Sequence, residues 1–287
     1  MKKMVFLILH YMNINETYKC VDSIKKMISF KNYEIVIVDN GSKNKTGEKL
    51  KTKYQKENNV HVILSEDNLG FARGNNIGFK YAKETLKADF IIMINSDIYM
   101  LQSNFCNLIE EEFESSNFAV LGPRILINNN RVCDYIDKMP SLEFLKKRRK
   151  RTYRFLIFNK LNLSKMYIIM AEIIKRFFSK QKKVDTSIRK EDVLLHGCCL
   201  IFSREYIDVY DGLDERTFLY YEEFLLYLRL KKQKLKSVYN PYLMVYHNEG
   251  SSTSEKYKNQ KKKIEFVLKH EIKSLNILID ELENINK

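Results

Sequence analysis

The segment Asn95-Ser96-Asp97 places a carboxylate where ligand chemistry is expected. It comes directly after the apolar run Phe90–Ile94, which is typical of a strand buried on both faces. A carboxylate at the end of such a strand lies at the carboxyl edge of its sheet, where open α/β sheets bind ligands. An isolated Asp at a strand end also caps turns. The interpretation of Asp97 as a site residue therefore depends on the groups that accompany it.

A glycine- and asparagine-rich loop, residues 67–78, offers phosphate chemistry. Its three glycines and three asparagines provide backbone N–H groups and tight turns just before a predicted helix, and Arg73 adds a guanidinium suited to phosphate. The spacing differs from the G-x-G-x-x-G fingerprint of dinucleotide-binding proteins. An ordinary turn is the alternative, but the accompanying strand ends favour a pocket for a nucleoside diphosphate.

The elements that must position these groups follow an alternating pattern. The predicted strands and helices are, in order, Val5–Leu9, Glu16–Ile28, Glu34–Val38, Thr46–Asn58, Val60–Leu64, Gly74–Leu86 and Phe90–Ile94. Strands that alternate with helices of this length imply right-handed βαβ units and a parallel sheet. The polar segments after the first, second and fourth strands (His10–Asn13, Asp39–Ser42 and Asn95–Asp97) then converge on one sheet edge.

The later chain is less regular. It predicts a strand at Leu194–Phe202, a loop and helix within Gly212–Lys232, short strands at Ser237–Tyr239 and Leu243–Tyr246, and one or two helices after Glu255. The apolar stripe of this last segment favours core packing or a homodimer contact through the C-terminal helices.

At this point the chain resembles the family 2 glycosyltransferases of the GT-A fold, especially their bacterial rhamnosyltransferase-like members. The matching motifs, in order, are Val38–Ser42, Asn68–Asn76, Asn95–Asp97, Gly197–Phe202, Gly212–Glu215, Tyr220–Glu223, Arg229 and Tyr246-His247. The resemblance implies an α/β fold with a mainly parallel sheet flanked by helices, a basic helical insert and a C-terminal helical tail. The implied domain spans residues 1–250, with a nucleotide-binding half (1–125), the insert (141–190) and an acceptor half (191–250), before the tail (251–287).

The resemblance also implies how a donor would be bound. Asp39 would accept the N3–H of uracil or thymine, and Asp97 would bind Mg²⁺ or Mn²⁺ that bridges the diphosphate. Asn95 stands where the family's metal motif has its first acid. His247 would approach the metal or the diphosphate, although alone it is better explained as a structural histidine. The full set of predicted donor-binding residues is His10, Asp39, Asn68, Gly70, Arg73, Asn75, Asn95 and Ser96.

The implied general base is Glu223, with Glu222 beside it. The family usually has Glu-Asp-x-Asp, whereas this chain has Glu222-Glu223-Phe224-Leu225, so the base is one methylene longer and the second acid is lost. The alternative is that Glu222 and Glu223 are solvated acids without a catalytic role, placed at the start of a helix where the macrodipole favours negative charge. The implied activity is transfer of a sugar from a UDP- or dTDP-linked donor to a glycan or lipid-linked acceptor, with inversion. The rivals are a nucleotidyltransferase and a catalytically weak scaffold subunit of a glycan-assembly complex.

The positive charge is confined to one segment. Residues 146–190 contain sixteen Lys or Arg and two acids, so they account for the whole net charge of +14. Because aromatic and apolar residues interleave with these cations, we expect an anionic membrane face as the partner, and no nucleic acid. A solvated helical insert is the third possibility.

Two further features of the sequence limit the cellular location that we expect for the protein. No run approaches the roughly 18 to 20 apolar residues of a membrane span, and the apolar stretch Met4–Leu9 is too short for a secretory signal. We therefore expect a cytoplasmic protein, peripheral at the inner face of the membrane. Five cysteines without paired metal spacing, Cys133 among them, predict free thiols.

Overall fold

The computed structural model describes residues 2–127, 131–132, 135–136, 138–163, 185–248 and 260–285. The strands are β1 (Met4–His10), β2 (Tyr33–Asn40), β3 (Val60–Ser65), β4 (Phe90–Asn95), β5 (Ile98–Met100), β6 (Val120–Ile127), β7 (Arg131–Val132), β8 (Tyr135–Ile136), β9 (Lys190–Glu191), β10 (Leu194–Leu195), β11 (Cys199–Phe202) and β12 (Ser237–His247). The helices are α1 (Ile14–Met27), α2 (Thr46–Tyr54), α3 (Phe71–Glu84), α4 (Phe105–Ser116), α5 (Leu142–Lys160), α6 (Arg204–Ile207), α7 (Glu222–Lys232) and α8 (Gln260–Ile285).

One large mixed sheet organises the molecule. Its main path is β3-β2-β1-β4-β11-β6-β12-β5, with β7 beside β6 and β9 beside β12. The four strands β3, β2, β1 and β4 are parallel, as the alternating pattern predicted. Because these strands are parallel, the carboxyl ends of β1, β2 and β4 meet at one edge of the sheet. At this edge Asp39 of β2 pairs with His10, and Asn95 of β4 pairs with Leu9.

The apolar strands are buried on both faces because helices cover each side. On β1, Met4, Phe6 and Ile8 belong to one core with α1, α2 and α4, whereas Val5 and Leu7 belong to another with α3, α6 and α7. Alternate residues of a strand point to opposite faces, which explains why the run carries no polar residue. The prediction of an α/β sheet flanked by helices is confirmed.

Several predicted boundaries differ from the observed ones. Helix α3 begins at Phe71 rather than Gly74, since the backbone N–H of Phe71 donates to the carbonyl of Phe218 and fixes the first turn. The strand predicted at Leu194–Phe202 is broken into β10 and β11, and the residues between them turn beside α7. The two short strands predicted around Pro241 are one strand, β12, with a register shift there.

The tail packs on the body of the protein. Leu275, Leu278 and Ile279 of α8 are buried with Leu145 of α5 and Leu225 of α7. This contact accounts for the apolar stripe by core packing, so the stripe no longer supports the predicted homodimer. No described helix is long and apolar enough to cross a bilayer.

Helix α5 is the longest described element of the basic insert. Two of its cations are paired with α8, Lys146 with Glu283 and Arg148 with Glu271, so part of the segment's charge is compensated within the chain. Residues 164–184 of the insert lie outside the described residues, as does Cys133. The other four cysteines are buried free thiols.

Candidate active site

A cavity of about 330 Å³ opens at the carboxyl ends of β1, β2 and β4. The predicted residues in its wall are Asn68, Gly70, Asn95, Ser96 and Asp97, and they are joined by Leu9, Tyr11, Asn40, Phe71, Phe218, Leu219, Tyr220 and Phe266. Five residues predicted from separate motifs therefore line one cavity.

His10 supports the cavity from beneath. Its ring has no exposed surface; Nδ1 bonds the Thr17 hydroxyl at 2.7 Å and Nε2 bonds the Thr46 hydroxyl at 2.9 Å. Burial lowers the pKa of His10 to about 4, so the imidazole is neutral at neutral pH. The structure thus places His10 behind the ligand-facing surface rather than in the cavity wall.

Asp39 lies outside the walls of both described cavities, and its Oδ1 is 3.8 Å from Nε2 of His10, too far for a hydrogen bond. The backbone N–H of Ser42 donates to Oδ2 at 3.3 Å, but Oδ1 is buried and no described residue bonds it. Burial raises the pKa of Asp39. Buried polar atoms are nearly always paired, so this oxygen fits an N–H donor on a bound ligand.

Asn40 fixes the loop that borders the cavity. Its Nδ2 donates to the Asn68 side chain and to the carbonyl of Gly70, and its Oδ1 accepts from the backbone of Leu69. Gly70 has a φ of +85°, and a Cβ there would lie 2.4 Å from the carbonyl oxygen of Phe218. Only glycine fits this position without moving the backbone.

Arg73 and Asn75 lie outside the walls of both described cavities. The Arg73 side chain is exposed, and its Nε donates to the carbonyl of Glu215 at 3.1 Å. Asn75 is buried and donates to the carbonyl of Phe71 at 3.0 Å. Their predicted contacts with the donor stay predictions, and Arg73 would have to leave Glu215 to reach a phosphate.

Asp97 and His247 meet across the sheet. Strand β5 pairs antiparallel with the end of β12, which puts His247 opposite Ile98. The His247 Nε2 lies 3.3 Å from Oδ1 of Asp97, and His247 Nδ1 is buried without a hydrogen-bond partner among the described residues. The described residues contain no group of three or more His, Cys, Asp or Glu side chains that could hold a metal.

A second cavity, of about 690 Å³, adjoins the first. The two share Phe71, Asn95, Leu219 and Tyr220. The rest of the second wall is Arg148, His196, Gly197, Cys198, Tyr221, Glu222, Glu223, Phe224, Val267 and Glu271. Both predicted catalytic acids therefore face a space that is continuous with the first cavity.

The two acids begin helix α7 and are held in a low-dielectric environment. Burial raises the pKa of Glu222 to about 7 and also raises the pKa of Glu223. Oε1 of Glu222 has no partner among the described residues. A Cβ on Gly197 would lie 3.7 Å from Oε2 of Glu223, so this turn borders the Glu223 carboxylate. Perturbed carboxylates in a cleft are typical of functional sites.

The turn before α7 is strained. Tyr220 and Tyr221 have φ angles of 73° and 69°, a region that bulky residues rarely adopt and that costs of order 1–3 kcal/mol for each. Packing holds the turn, since the Tyr221 ring lies tilted against the Phe224 ring, with 5.1 Å between their centroids, and the Tyr221 hydroxyl donates to Glu271. The strain places Tyr220 on the boundary between the two cavities.

Sequence reasoning missed several wall residues. Asn40 lies inside a quoted motif, so its neighbour Asp39 was a usable signal. Tyr220 also lies in a quoted motif, but nothing in the sequence indicates its backbone conformation. Arg148 and Glu271 carry no sequence signal, because each is one charged residue among many on a helix.

With this geometry in view, comparison with known proteins decides the family. The Glycosyl transferase family 2 model matches residues 6–210, well over half of the chain. The chain belongs to this family. The predicted family is confirmed, while the rhamnosyltransferase-like branch stays a prediction.

Two similar proteins carry glycosyltransferase names. The chain is 24% identical over 220 residues to "Low-salt glycan biosynthesis hexosyltransferase Agl10" of Haloferax volcanii, covering 76% of this chain and 60% of that protein. It is 29% identical over 104 residues to "Glycosyltransferase GlyG" of Streptococcus pneumoniae serotype 4, covering 36% of this chain and 33% of that protein. The chain thus matches less than two thirds of either relative.

Solved structures share the fold. GalNAc-T7 with UDP, GalNAc and Mn²⁺ superposes with a TM-score of 0.58 at 15% identity, over 88% of this chain and 46% of that one. S. aureus TarS 1-349 in complex with UDP superposes with a TM-score of 0.53 at 15% identity, over 86% and 60%. At this identity the likeness concerns the fold alone, and the predicted GT-A fold is confirmed.

Proposed function

We propose that the chain is an inverting glycosyltransferase that moves a sugar from a UDP- or dTDP-linked donor to a hydroxyl of a bacterial surface glycan. One observation carries the proposal. The cavity that holds Asp97 and the cavity that holds Glu222 and Glu223 share a wall at Asn95 and Tyr220. A donor in the first cavity and an acceptor in the second would meet at that boundary.

The donor half rests on Asp39 and the loop behind it. The unpartnered Oδ1 of Asp39 suits the N3–H of uracil or thymine, which carry a donor at that ring position. Asn40 and Gly70 keep the bordering loop in one conformation. A preorganised loop lowers the entropy that is lost on binding.

Asp97 and His247 are the candidate holders of a divalent metal. Their 3.3 Å separation is close to the distance of about 3 Å between adjacent ligands of an octahedral ion with bonds of about 2.1 Å. Phosphate oxygens and water would complete the coordination, because Asn95 replaces the other acid of the motif. A bound Mg²⁺ or Mn²⁺ supplies positive charge against the charge that grows on the leaving diphosphate.

The acceptor half rests on Glu223. In an inverting transfer, the acceptor oxygen forms a bond to C1 of the sugar while the C1–O bond to the diphosphate breaks on the opposite face. The hydroxyl proton passes to a carboxylate within hydrogen-bond reach. Glu223 is proposed for this role, since burial raises its pKa and so its affinity for that proton. The weak-scaffold alternative draws on Leu225, which replaces an acid but is buried against α8 and so has a packing role.

Nucleotide binding tests the donor assignment. We expect UDP or dTDP with Mn²⁺ to raise the melting temperature by about 5 °C at a 100-fold excess over Kd. CDP is expected to have a weaker effect, because cytosine has no N3–H for Asp39. Asp39→Asn should remove the preference for UDP, whereas Asp67→Asn, at an exposed position, should retain it. An equal response to CDP and UDP in the wild type would contradict the assignment.

The exposed face of α5 supports a membrane contact. Ile157 of α5 and Leu161, just after the end of the helix, are 54% and 62% exposed, and the exposed Lys150 and Arg154 lie on the same side of the helix. Apolar side chains beside cations suit an anionic lipid surface, with about 1 kcal/mol from each cation. We propose that α5 rests on such a surface, where a lipid-linked acceptor would be presented.

Vesicle sedimentation tests this contact. We expect the full chain to sediment with vesicles containing phosphatidylglycerol and not with pure phosphatidylcholine. Lys150→Glu with Arg154→Glu should weaken sedimentation, and Lys49→Glu with Lys53→Glu on α2 serves as a charge-matched control. Equal retention by both lipids, or by neither, would exclude the proposal.

A further inference from the structure

The wall of the second cavity contains an acidic group that the transfer chemistry does not use. Glu271 of α8 faces this space beside Arg148 of α5. Two guanidinium nitrogens of Arg148, Nε at 2.9 Å and Nη2 at 2.7 Å, donate to the same oxygen of Glu271, Oε1. The Tyr221 hydroxyl donates to Oε1 as well, at 3.4 Å.

This arrangement leaves the second carboxylate oxygen available. An arginine often bonds both oxygens of a carboxylate in a fork. Here the bonds from Arg148 and Tyr221 all end on Oε1, and no residue in the described part of the chain donates to Oε2 of Glu271. The Glu271 side chain is 15% exposed, so its remaining exposed surface is small. An ionised carboxylate accepts hydrogen bonds only, and it therefore requires a ligand that donates.

The rest of the wall defines the kind of ligand. Tyr220, Tyr221 and Phe224 provide aromatic surface, and Glu222 and Glu223 add two further acids. Among the described residues of the wall, Arg148 is the only Lys or Arg, and it is already paired with Glu271. An anionic ligand would be repelled, whereas a neutral polyhydroxylated ring offers both hydroxyl donors and an apolar face.

The support behind Glu271 is rigid. Arg149 donates to the Asn276 side chain at 2.9 Å, and Leu156 of α5 is buried with Leu268 and Ile272 of α8. Helix α8 also lies beyond residues 6–210, the part that matches the family. This side of the cavity is therefore contributed by an element that the family match does not include.

We propose that Glu271, positioned by Arg148 and Tyr221, binds hydroxyl groups of an acceptor saccharide through Oε2. The inference rests on the proposed function, because it takes the second cavity as the acceptor site. It narrows the acceptor to a neutral sugar at the reacting end. Any phosphate of a lipid-linked acceptor would lie outside the cavity.

Saturation-transfer NMR on the full chain with UDP and Mn²⁺ tests the proposal. The probes are p-nitrophenyl β-glycosides of glucose, galactose, mannose, N-acetylglucosamine and rhamnose, with glucose 1-phosphate as the anionic comparison. We expect at least one glycoside to bind and glucose 1-phosphate to bind more weakly. Glu271→Gln should weaken the glycoside about tenfold, the loss of one charge-assisted hydrogen bond.

Two further variants separate binding from folding. Arg148→Lys keeps the charge but loses the two-donor contact. We expect its affinity for the glycoside to lie between those of the wild type and Glu271→Gln. Glu265→Gln lies on the same helix outside both cavity walls and should bind as the wild type does. Thermal denaturation of each variant checks that it is folded.

Three results would overturn the inference. These are the absence of glycoside binding to the wild type, equal binding by Glu271→Gln, and preferential binding of glucose 1-phosphate. UDP titration of the same samples keeps the two proposals apart. If UDP still binds and any of these three results is obtained, only the role of Glu271 is overturned. If the wild type binds no nucleotide at all, the proposed function is overturned.

Discussion

Replacement of Asp97 with Asn is expected to lower kcat/KM for sugar transfer by roughly 10²–10³-fold. Asp97 is the one carboxylate of its motif, since the first position is Asn95. Asn has nearly the same size, so the packing of this almost buried side chain is preserved while its charge is lost. Initial rates of UDP or dTDP release with increasing Mn²⁺ measure the effect.

The metal dependence distinguishes a binding role from a structural one. We expect Asp97→Asn to need more Mn²⁺ for half-maximal turnover, because the proposed site loses its charged ligand. His247→Gln removes the other proposed ligand, which is neutral when it binds a metal, and should cause a smaller shift in the same direction. Asp208→Asn, an exposed carboxylate paired with Arg204, is the control. Turnover of Asp97→Asn at the wild-type rate and metal requirement would contradict the assignment.

Replacement of Glu223 with Gln is expected to reduce transfer by roughly 10²–10⁴-fold, the usual contribution of a general base. The amide keeps the shape of the side chain but cannot accept the proton of the acceptor hydroxyl. The base acts in its ionised form, and burial raises its pKa. Wild-type activity should therefore fall on acidification at a pH above the ordinary pKa of a glutamate. Rates between pH 5 and 9 with saturating donor measure this limb.

The neighbouring acid provides the comparison. Glu222→Gln should cause a smaller loss of activity below pH 7. The pKa of Glu222 is raised to about 7, so its carboxyl group is largely protonated at that pH and, like the amide of Gln, carries no charge. UDP binding should be retained by both variants. A larger loss from Glu222→Gln than from Glu223→Gln would assign the base to Glu222 instead.

Local patterns predicted the nucleotide-binding half closely. The four parallel strands were found because each is a short apolar run bounded by polar turn residues. The errors lie where tertiary contacts override pattern. Helix α3 gains its first turn from a hydrogen bond to Phe218, which is distant in the sequence and invisible to any local rule.

The predicted site residues divide in the same way. Asn68, Gly70, Asn95, Ser96 and Asp97 line the first cavity, because their motifs follow strands that share one sheet edge. His10 was predicted from that same position, yet its ring is buried between two threonines. A strand-end position specifies the edge of the sheet, but the packing around it decides whether a side chain meets the ligand.

The sequence by itself determined the order of the motifs, the parallel half of the sheet and the position of Asp97 at its carboxyl edge. These follow from periodicity and from chain direction, which are local properties. The resemblance already implied that His247 approaches the metal of Asp97, and the tertiary structure puts its ring 3.3 Å from that carboxylate. Only the tertiary structure decided that Arg148 and Glu271 enter the second cavity. An apolar stripe predicts that a helix face is buried, but it does not predict which element covers that face. The packing of α8 against α5 and α7 is what brings Arg148 and Glu271 to the second cavity.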